Sequence, residues 1–219
     1  MKRIINMDNP VFSFFYTLAD LIIANMITFL CCLPVVTIGA ALAANHYVTQ
    51  SIIYKTGGSL IRTYFKKFIE YFKHATIVWL VQIFVLAVLG FNMYLVLVYF
   101  NDTFRNILIV LMALFALFIL AVDALMVPLL VRYDNKLSEH FHNAVILFSQ
   151  KFLRTLILIV LKLFPIILAL VAPTVMIFTI PYWVLIGISL MTLLSNWLLK
   201  STFLDLEDQR DARLEEIEE

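Results

Sequence analysis

The sequence predicts an all-α membrane protein: a bundle of six transmembrane helices, or five, with two cytoplasmic amphipathic helices and a weak internal repeat. Three observations carry this. Of the 219 residues, 63% are apolar and 14% charged, whereas a soluble domain carries roughly 25% charged residues. The mean hydropathy is +0.97, a value suited to a chain whose solvent is lipid and which needs little polar surface. The charges are also segregated: eight of the fifteen acidic residues lie between Asp205 and Glu219, and the basic ones gather around Lys55–Lys73, Arg132–Arg154 and Lys200–Arg213. Such clustering speaks of membrane sidedness and not of an exposed basic face for nucleic acid.

The elements follow in chain order. Lys2 and Arg3 precede an apolar run without a small-residue cleavage site, the pattern of a retained first span. Val11–Tyr54 is 44 residues long, about 66 Å as one helix and roughly twice a bilayer core. Asn9-Pro10 opens it in the manner of a capped helix start. Pro34 interrupts it, so it forms two helices meeting at Cys31-Cys32-Leu33-Pro34, or one span with an interfacial extension. Ile61, Tyr64, Phe65, Phe68 and Phe72 form one helical stripe, with Arg62, Lys66, Glu70 and Lys73 opposite. Thr76–Phe100 and Ile107–Val131 are spans by length and composition. A second amphipathic helix places Phe141, Ala144, Val145, Phe148 and Phe152 opposite Glu139, His142, Asn143 and Gln150. Thr155–Ala172 and Val175–Leu199 complete the spans. A shift of 79 residues aligns Tyr54 with Tyr133, Ser59 with Ser138 and Thr76 with Thr155, one known way to build a bundle. Residues 1–204 are expected to form one transmembrane domain and residues 205–219 an acidic cytoplasmic tail.

Counting charges weighs the two span numbers. Six spans put both termini in the cytoplasm, with fourteen Lys/Arg inside and Arg105 alone outside; five put twelve inside and three outside. Both obey the positive-inside rule, six better. Against six stand the short apolar turn at Cys31–Pro34 and the polar content of the next segment: Thr37, Asn45, His46, Thr49, Gln50 and Ser51.

No enzyme motif is present. Five glycines offer no phosphate-cradling loop, and Gly57-Gly58 stands alone. His140 and His142, two apart, fall on different helix faces and are expected to be solvated; no metal or cofactor is implied. The adjacent cysteines Cys31 and Cys32 are read as small hydrophobes. Ionisable and polar groups inside spans are the candidate site, because each is costly in hydrocarbon. Asp123 lies nine residues before Arg132 and Lys162 eight after Arg154, which puts both about 12–14 Å from one boundary in antiparallel spans. They are natural partners, either as a structural ion pair or as part of a solute or proton path. Asp20 and Asn25 lie at related depth in the first span. The second candidate is the basic face Arg62, Lys66, Lys67 and Lys73, expected to contact lipid or to dock a cytoplasmic partner.

Several segments resemble the YesL-like family of bacterial membrane proteins. They are Asp8-Asn9-Pro10, Leu18-Ala19-Asp20-Leu21, Asn25 and the run Cys31-Cys32-Leu33-Pro34-Val35-Val36-Thr37-Ile38-Gly39-Ala40. Arg62–Lys73 with Ala75-Thr76 follows, then Pro128-Leu129-Leu130 through Arg132-Tyr133-Asp134-Asn135 to Asn143-Ala144. The family's function is not known; its members come mostly from Gram-positive bacteria and often sit beside genes for carbohydrate ABC uptake systems. The resemblance implies a non-catalytic accessory component of such a system in the bacterial cell membrane, with ABC permease components as partners. It supplies no catalytic residues. The chain lacks the Gly-containing cytoplasmic loop of importer permeases, so it is not read as the permease. The alternative is a small-solute transporter or channel that uses its intramembrane polar residues.

Overall fold

The computed structural model describes residues 10–56 and 58–218, and the side chains of residues 12–56 and 58–208. Lys2, Arg3, Asp8, Asn9, Gly57 and the side chains of the tail beyond Asp208 lie outside the described residues. Among those described there are helices and no strand: α1 (Pro10–Cys31), a 3₁₀ turn (Val35–Thr37), α2 (Ile38–Tyr54), α3 (Leu60–Tyr99), α4 (Asp102–Arg132), α5 (Leu137–Gln150), α6 (Phe152–Val171), α7 (Pro173–Tyr182), a π-helical turn (Trp183–Gly187) and α8 (Ile188–Glu218). Five helical stretches are long and apolar enough to cross a membrane: Phe12–Cys31, Leu60–Tyr99, Asp102–Arg132, Phe152–Val171 and Pro173–Asp208. The chain is a multi-pass membrane protein.

The sixth long helix, α2, explains the ambiguous N-terminal region. Helix α1 ends at Cys31, just ahead of Pro34, whose ring and missing N–H disfavour a helix interior, and the chain reverses there. Thr37 Oγ1 donates to the carbonyls of Cys31 (2.6 Å) and Pro34 (2.8 Å), supplying partners that an apolar turn lacks. Asn25 and Asn45 both bond Ser189, which is possible only if α1 and α2 lie side by side. Pro10 and Tyr54 are therefore at the same end of the bundle, as the six-helix arrangement requires.

Helix α2 packs against α1, α3, α4 and α8, and Gly39, Ala40, Ala41, Ala43 and Ala44 on it are buried. Small residues let helix backbones approach where no hydrophobic force separates helix from lipid. The approach to α3 is close: a Cβ on Gly39 would lie 2.4 Å from the Ala75 carbonyl oxygen and 2.7 Å from Trp79 Cβ. Because α2 is enclosed by protein, its polar residues are no argument against its place in the bundle.

Two amphipathic segments depart from expectation. The first is not a separate helix. Nothing in Lys73-His74-Ala75-Thr76 breaks the winding, and α3 runs unbroken for 40 residues, about 60 Å. Its inner face is Leu60, Tyr64, Phe68, Tyr71 and Ala75, while Ile61, Phe65 and Phe72 are exposed with Ile69. Trp79 Nε1 donates to the Val35 carbonyl at 2.9 Å, and α3 continues about 30 Å beyond that contact. The exposed apolar tip Leu33–Val36 thus lies well short of the α3–α4 connection. The second segment, α5, is separate, but its buried face is His140, Ala144 and Leu147, and Phe141 points outward. His140, expected to be solvated, is 3% exposed; it lies on the packed face of α5, one turn before Ala144.

Packing concentrates at the end of the bundle that carries most basic residues. Val122, Leu125, Met126 and Leu129 of α4 meet Ala144 and Leu147 of α5, Leu158 of α6, and Leu199 and Phe203 of α8. There Arg132 makes a forked contact with Glu207 (2.8–3.1 Å), and Lys151 pairs with Asp205 at 3.2 Å. The beginning of the acidic tail is thereby fastened to α4 and to the α5–α6 junction. At the opposite end, Ile77–Tyr99 of α3 and Phe104–Phe115 of α4 present an outer surface rich in exposed apolar side chains, as lipid contact demands.

Candidate functional site

The interior of the bundle holds a polar seam built on α2 and α8. Its upper part is set by the π-turn. A π-turn moves backbone bonding from the fourth to the fifth residue and leaves groups at its edge without their usual partners. Asn25 of α1 takes these up: Nδ2 donates to the carbonyls of Trp183 (2.9 Å) and Val184 (2.6 Å), and Oδ1 accepts from the Ser189 N–H (2.8 Å). Gly187 is required in the same turn, because a Cβ there would fall 2.4 Å from the Trp183 ring. Ser189 Oγ then donates to Asn45 Oδ1 (3.0 Å), whose Nδ2 donates to Thr192 Oγ1 (3.3 Å).

One turn further along α2, Thr49 Oγ1 donates to the Asn45 carbonyl (2.8 Å) and accepts from Asn196 Nδ2 (2.7 Å). Asn196 Nδ2 also donates to the His46 carbonyl (3.0 Å), and its Oδ1 is 3.0 Å from His46 Nδ1. Gln50 Nε2 reaches the Pro128 carbonyl and Asn196 Oδ1 at 3.5 Å, the outer limit of a hydrogen bond. Asn25, Asn45, Thr49, Ser189 and Asn196 are each at most 2% exposed. The seam ties α1, α2, α4 and α8 together, and in lipid each unbonded member would be expensive.

Asp123 of α4 and Lys162 of α6 form an ion pair. Asp123 is buried, while the Lys162 side chain retains 34% exposure. The pair joins α6 to α4, which in turn packs against α2. On α3, Thr76 Oγ1 and Gln82 Oε1 are buried with no hydrogen-bond partner among the described residues. Asp20 is not brought to this group. It is half-buried on α1, and it shares no face with Asn25 five residues on, which helical spacing places about 140° away.

The basic face of α3 divides. Arg62, Lys66 and Lys73 are exposed. Lys67 turns inward: its ammonium bonds Glu70 at 2.6 Å and lies over the rings of Tyr47 (4.6 Å) and Tyr71 (5.2 Å), attractive contacts for a partly desolvated cation. It belongs to the α2–α3 interface and not to an outer docking face.

Sequence reading passed over Ser189, Thr192 and Asn196. Their spacing of three and four residues along α8 is the signal that places them on one face. The polar residues of α2 were visible, but their partners were not.

Residues 11–93, which cover α1, α2 and most of α3, match a family model described as "Protein of unknown function, DUF624". Membership of the YesL-like family is consistent with this match. No curated protein and no solved structure matches the chain significantly.

Proposed function

We propose that the chain is a non-catalytic accessory component of a carbohydrate ABC uptake system in the bacterial cell membrane, with both termini cytoplasmic. The observation that carries this reading is the use made of the interior polar groups. Asn25, Asn45, Thr49, Ser189, Thr192 and Asn196 bond one another or the backbone. A solute path needs donors and acceptors left for the solute; these are committed to holding helices together. Arg62, Lys66 and Lys73 are exposed together on one outer face of α3, where charges mainly set specificity and association rate. The orientation rests on the basic clusters at the end that carries Pro10 and Tyr54, and the link to sugar uptake on the YesL-like resemblance.

Reversal of Arg62, Lys66 and Lys73 to Glu tests the docking face. The expected result is loss of co-purifying sugar-uptake components from a protein that remains inserted and folded. Unchanged partners, with membrane contact weakened by about 1 kcal/mol per charge, would reduce the face to a lipid anchor.

One feature favours a second reading, a small-solute transporter or channel: the partly exposed Lys162 paired with Asp123, with Thr76 Oγ1 and Gln82 Oε1 on α3 buried and without a hydrogen-bond partner among the described residues. Flux by the purified protein alone in proteoliposomes, stopped by Asp123→Asn, would replace the accessory reading with this one.

A further inference from the structure

At the basic end, α6 and α8 leave an open pocket of about 320 Å³ lined by Arg154, Trp197, Leu198, Lys200, Ser201 and Leu204. Arg154 is held across it: Nη1 donates to Ser201 Oγ (2.8 Å) and Thr202 Oγ1 (2.7 Å). Both bonds are to neutral oxygens and use a single guanidinium nitrogen. Among the described residues neither Arg154 nor Lys200 has a carboxylate partner, although neighbouring cations at this end do, Arg132 with Glu207 and Lys151 with Asp205. Lys200 rests 5.7 Å from the Tyr54 ring centroid, a contact that consumes none of its N–H donors. The apolar walls are open as well. Trp197 is 66% exposed and Leu204 43%, and beside Arg154 on α6 Leu153 is 75% exposed.

We infer that this pocket holds the headgroup of an anionic membrane phospholipid, with Arg154, Lys200 and Ser201 on the phosphate and Trp197 where headgroup meets acyl chain. A guanidinium presents parallel N–H groups that match two phosphate oxygens, and an ammonium adds a point charge. Indole rings collect at the membrane–water boundary, and basic pockets between spans on the cytoplasmic side take anionic headgroups. Two cations with no carboxylate partner among the described residues, set against a wide exposed apolar wall, call for a ligand that is anionic at one end and hydrocarbon at the other. Inorganic phosphate would satisfy the first condition only. The adjacent Asp205 does not oppose such a ligand, because Lys151 neutralises it.

Trp197 serves as the reporter. The full chain is reconstituted in vesicles containing brominated phosphatidylglycerol or brominated phosphatidylcholine at equal mole fraction. Quenching lost in Trp197→Phe isolates its signal from those of Trp79 and Trp183. Stronger quenching by phosphatidylglycerol is expected, with the preference falling roughly fivefold for each cation removed in Arg154→Gln and Lys200→Gln. Arg62→Gln/Lys66→Gln should leave it intact. Lys200→Gln, which removes only the long contact with the Tyr54 ring, keeps the test valid should Arg154→Gln fail to fold. Equal quenching by the two lipids, or a preference that Lys200→Gln leaves unchanged, overturns the assignment. Loss of the preference in millimolar inorganic phosphate at constant ionic strength would overturn it in favour of a free anion.

Discussion

Asn25→Leu tests the polar seam at its most connected point. The substitution nearly conserves volume and leaves α1 apolar, so the packing of Ala24 and Thr28 around it changes little. It removes three hydrogen bonds at once, to the Trp183 and Val184 carbonyls and from the Ser189 N–H. In a soluble core each orphaned group would cost about 1–3 kcal/mol. Interhelical bonds in membrane proteins average about 0.6 kcal/mol with a maximum near 1.7, because the unfolded chain in a bilayer finds other partners. Three such bonds give about 2 kcal/mol, with a ceiling of about 5 kcal/mol. The site lies inside the bundle, so detergent and water cannot easily satisfy the freed groups. Reversible unfolding in mixed micelles, with the denaturing detergent fraction as the variable, measures the loss. Thr179→Val is the control, since Thr179 bonds only its own helix and is half-buried on α7; it should stay within about 0.5 kcal/mol of the parent. An Asn25→Leu protein equally close to the parent would refute the view that this side chain joins α1 to the π-turn.

Further outcomes follow from the packing and the charges. Gly39→Ala should destabilise despite the roughly 1 kcal/mol gain in helix propensity. The new Cβ meets the Ala75 backbone carbonyl at 2.4 Å, and overpacking costs about 1–3 kcal/mol; a rise in thermal stability in detergent would show that α2 and α3 are farther apart. Lys162→Met should destabilise by stranding Asp123, and adding Asp123→Leu should recover part of the loss; strictly additive losses in the double-mutant cycle would mean that the two are uncoupled. Burial pushes the His140 imidazole below its ordinary value, against the opposing pull of Glu139 and Asp134 and with a small push in the same direction from His74. The unfolded chain therefore takes up its proton near pH ~6.5, before the folded one does. The contribution of His140 is complete above that pH and is lost as pH falls through its lowered folded value, and His140→Gln should flatten this part of the stability–pH curve.

The apolar spans were legible from length alone, and Pro34 marked the reversal between α1 and α2. What the sequence concealed is which helix lies in the middle. Thr37, Asn45, His46, Thr49, Gln50 and Ser51 look unsuited to lipid, and they are; four other helices enclose α2, and its polar face meets Ser189, Thr192 and Asn196 across that contact. Periodicity finds an amphipathic face but cannot tell protein from lipid as its apolar neighbour. In α3, Ile61, Phe65 and Phe72 therefore look outward while Tyr64, Phe68 and Tyr71 look inward, and in α5 the packed face is turned by one residue. Lys67 was misplaced for the same reason: 100° per residue puts it at the margin of the basic face, and only the rings of Tyr47 and Tyr71 decide its direction. The π-turn has no local sequence signature. The groups that it frees are bonded by Asn25, more than 150 residues away.

The accessory reading is tested most directly by affinity purification of the intact protein from native membrane in mild detergent, followed by quantitative mass spectrometry. The account predicts enrichment of the permease or ATPase subunits of a carbohydrate uptake system, and loss of that enrichment in the Arg62→Glu/Lys66→Glu/Lys73→Glu protein. Recovery of the chain free of any such component, from membranes in which that system is expressed, would contradict it.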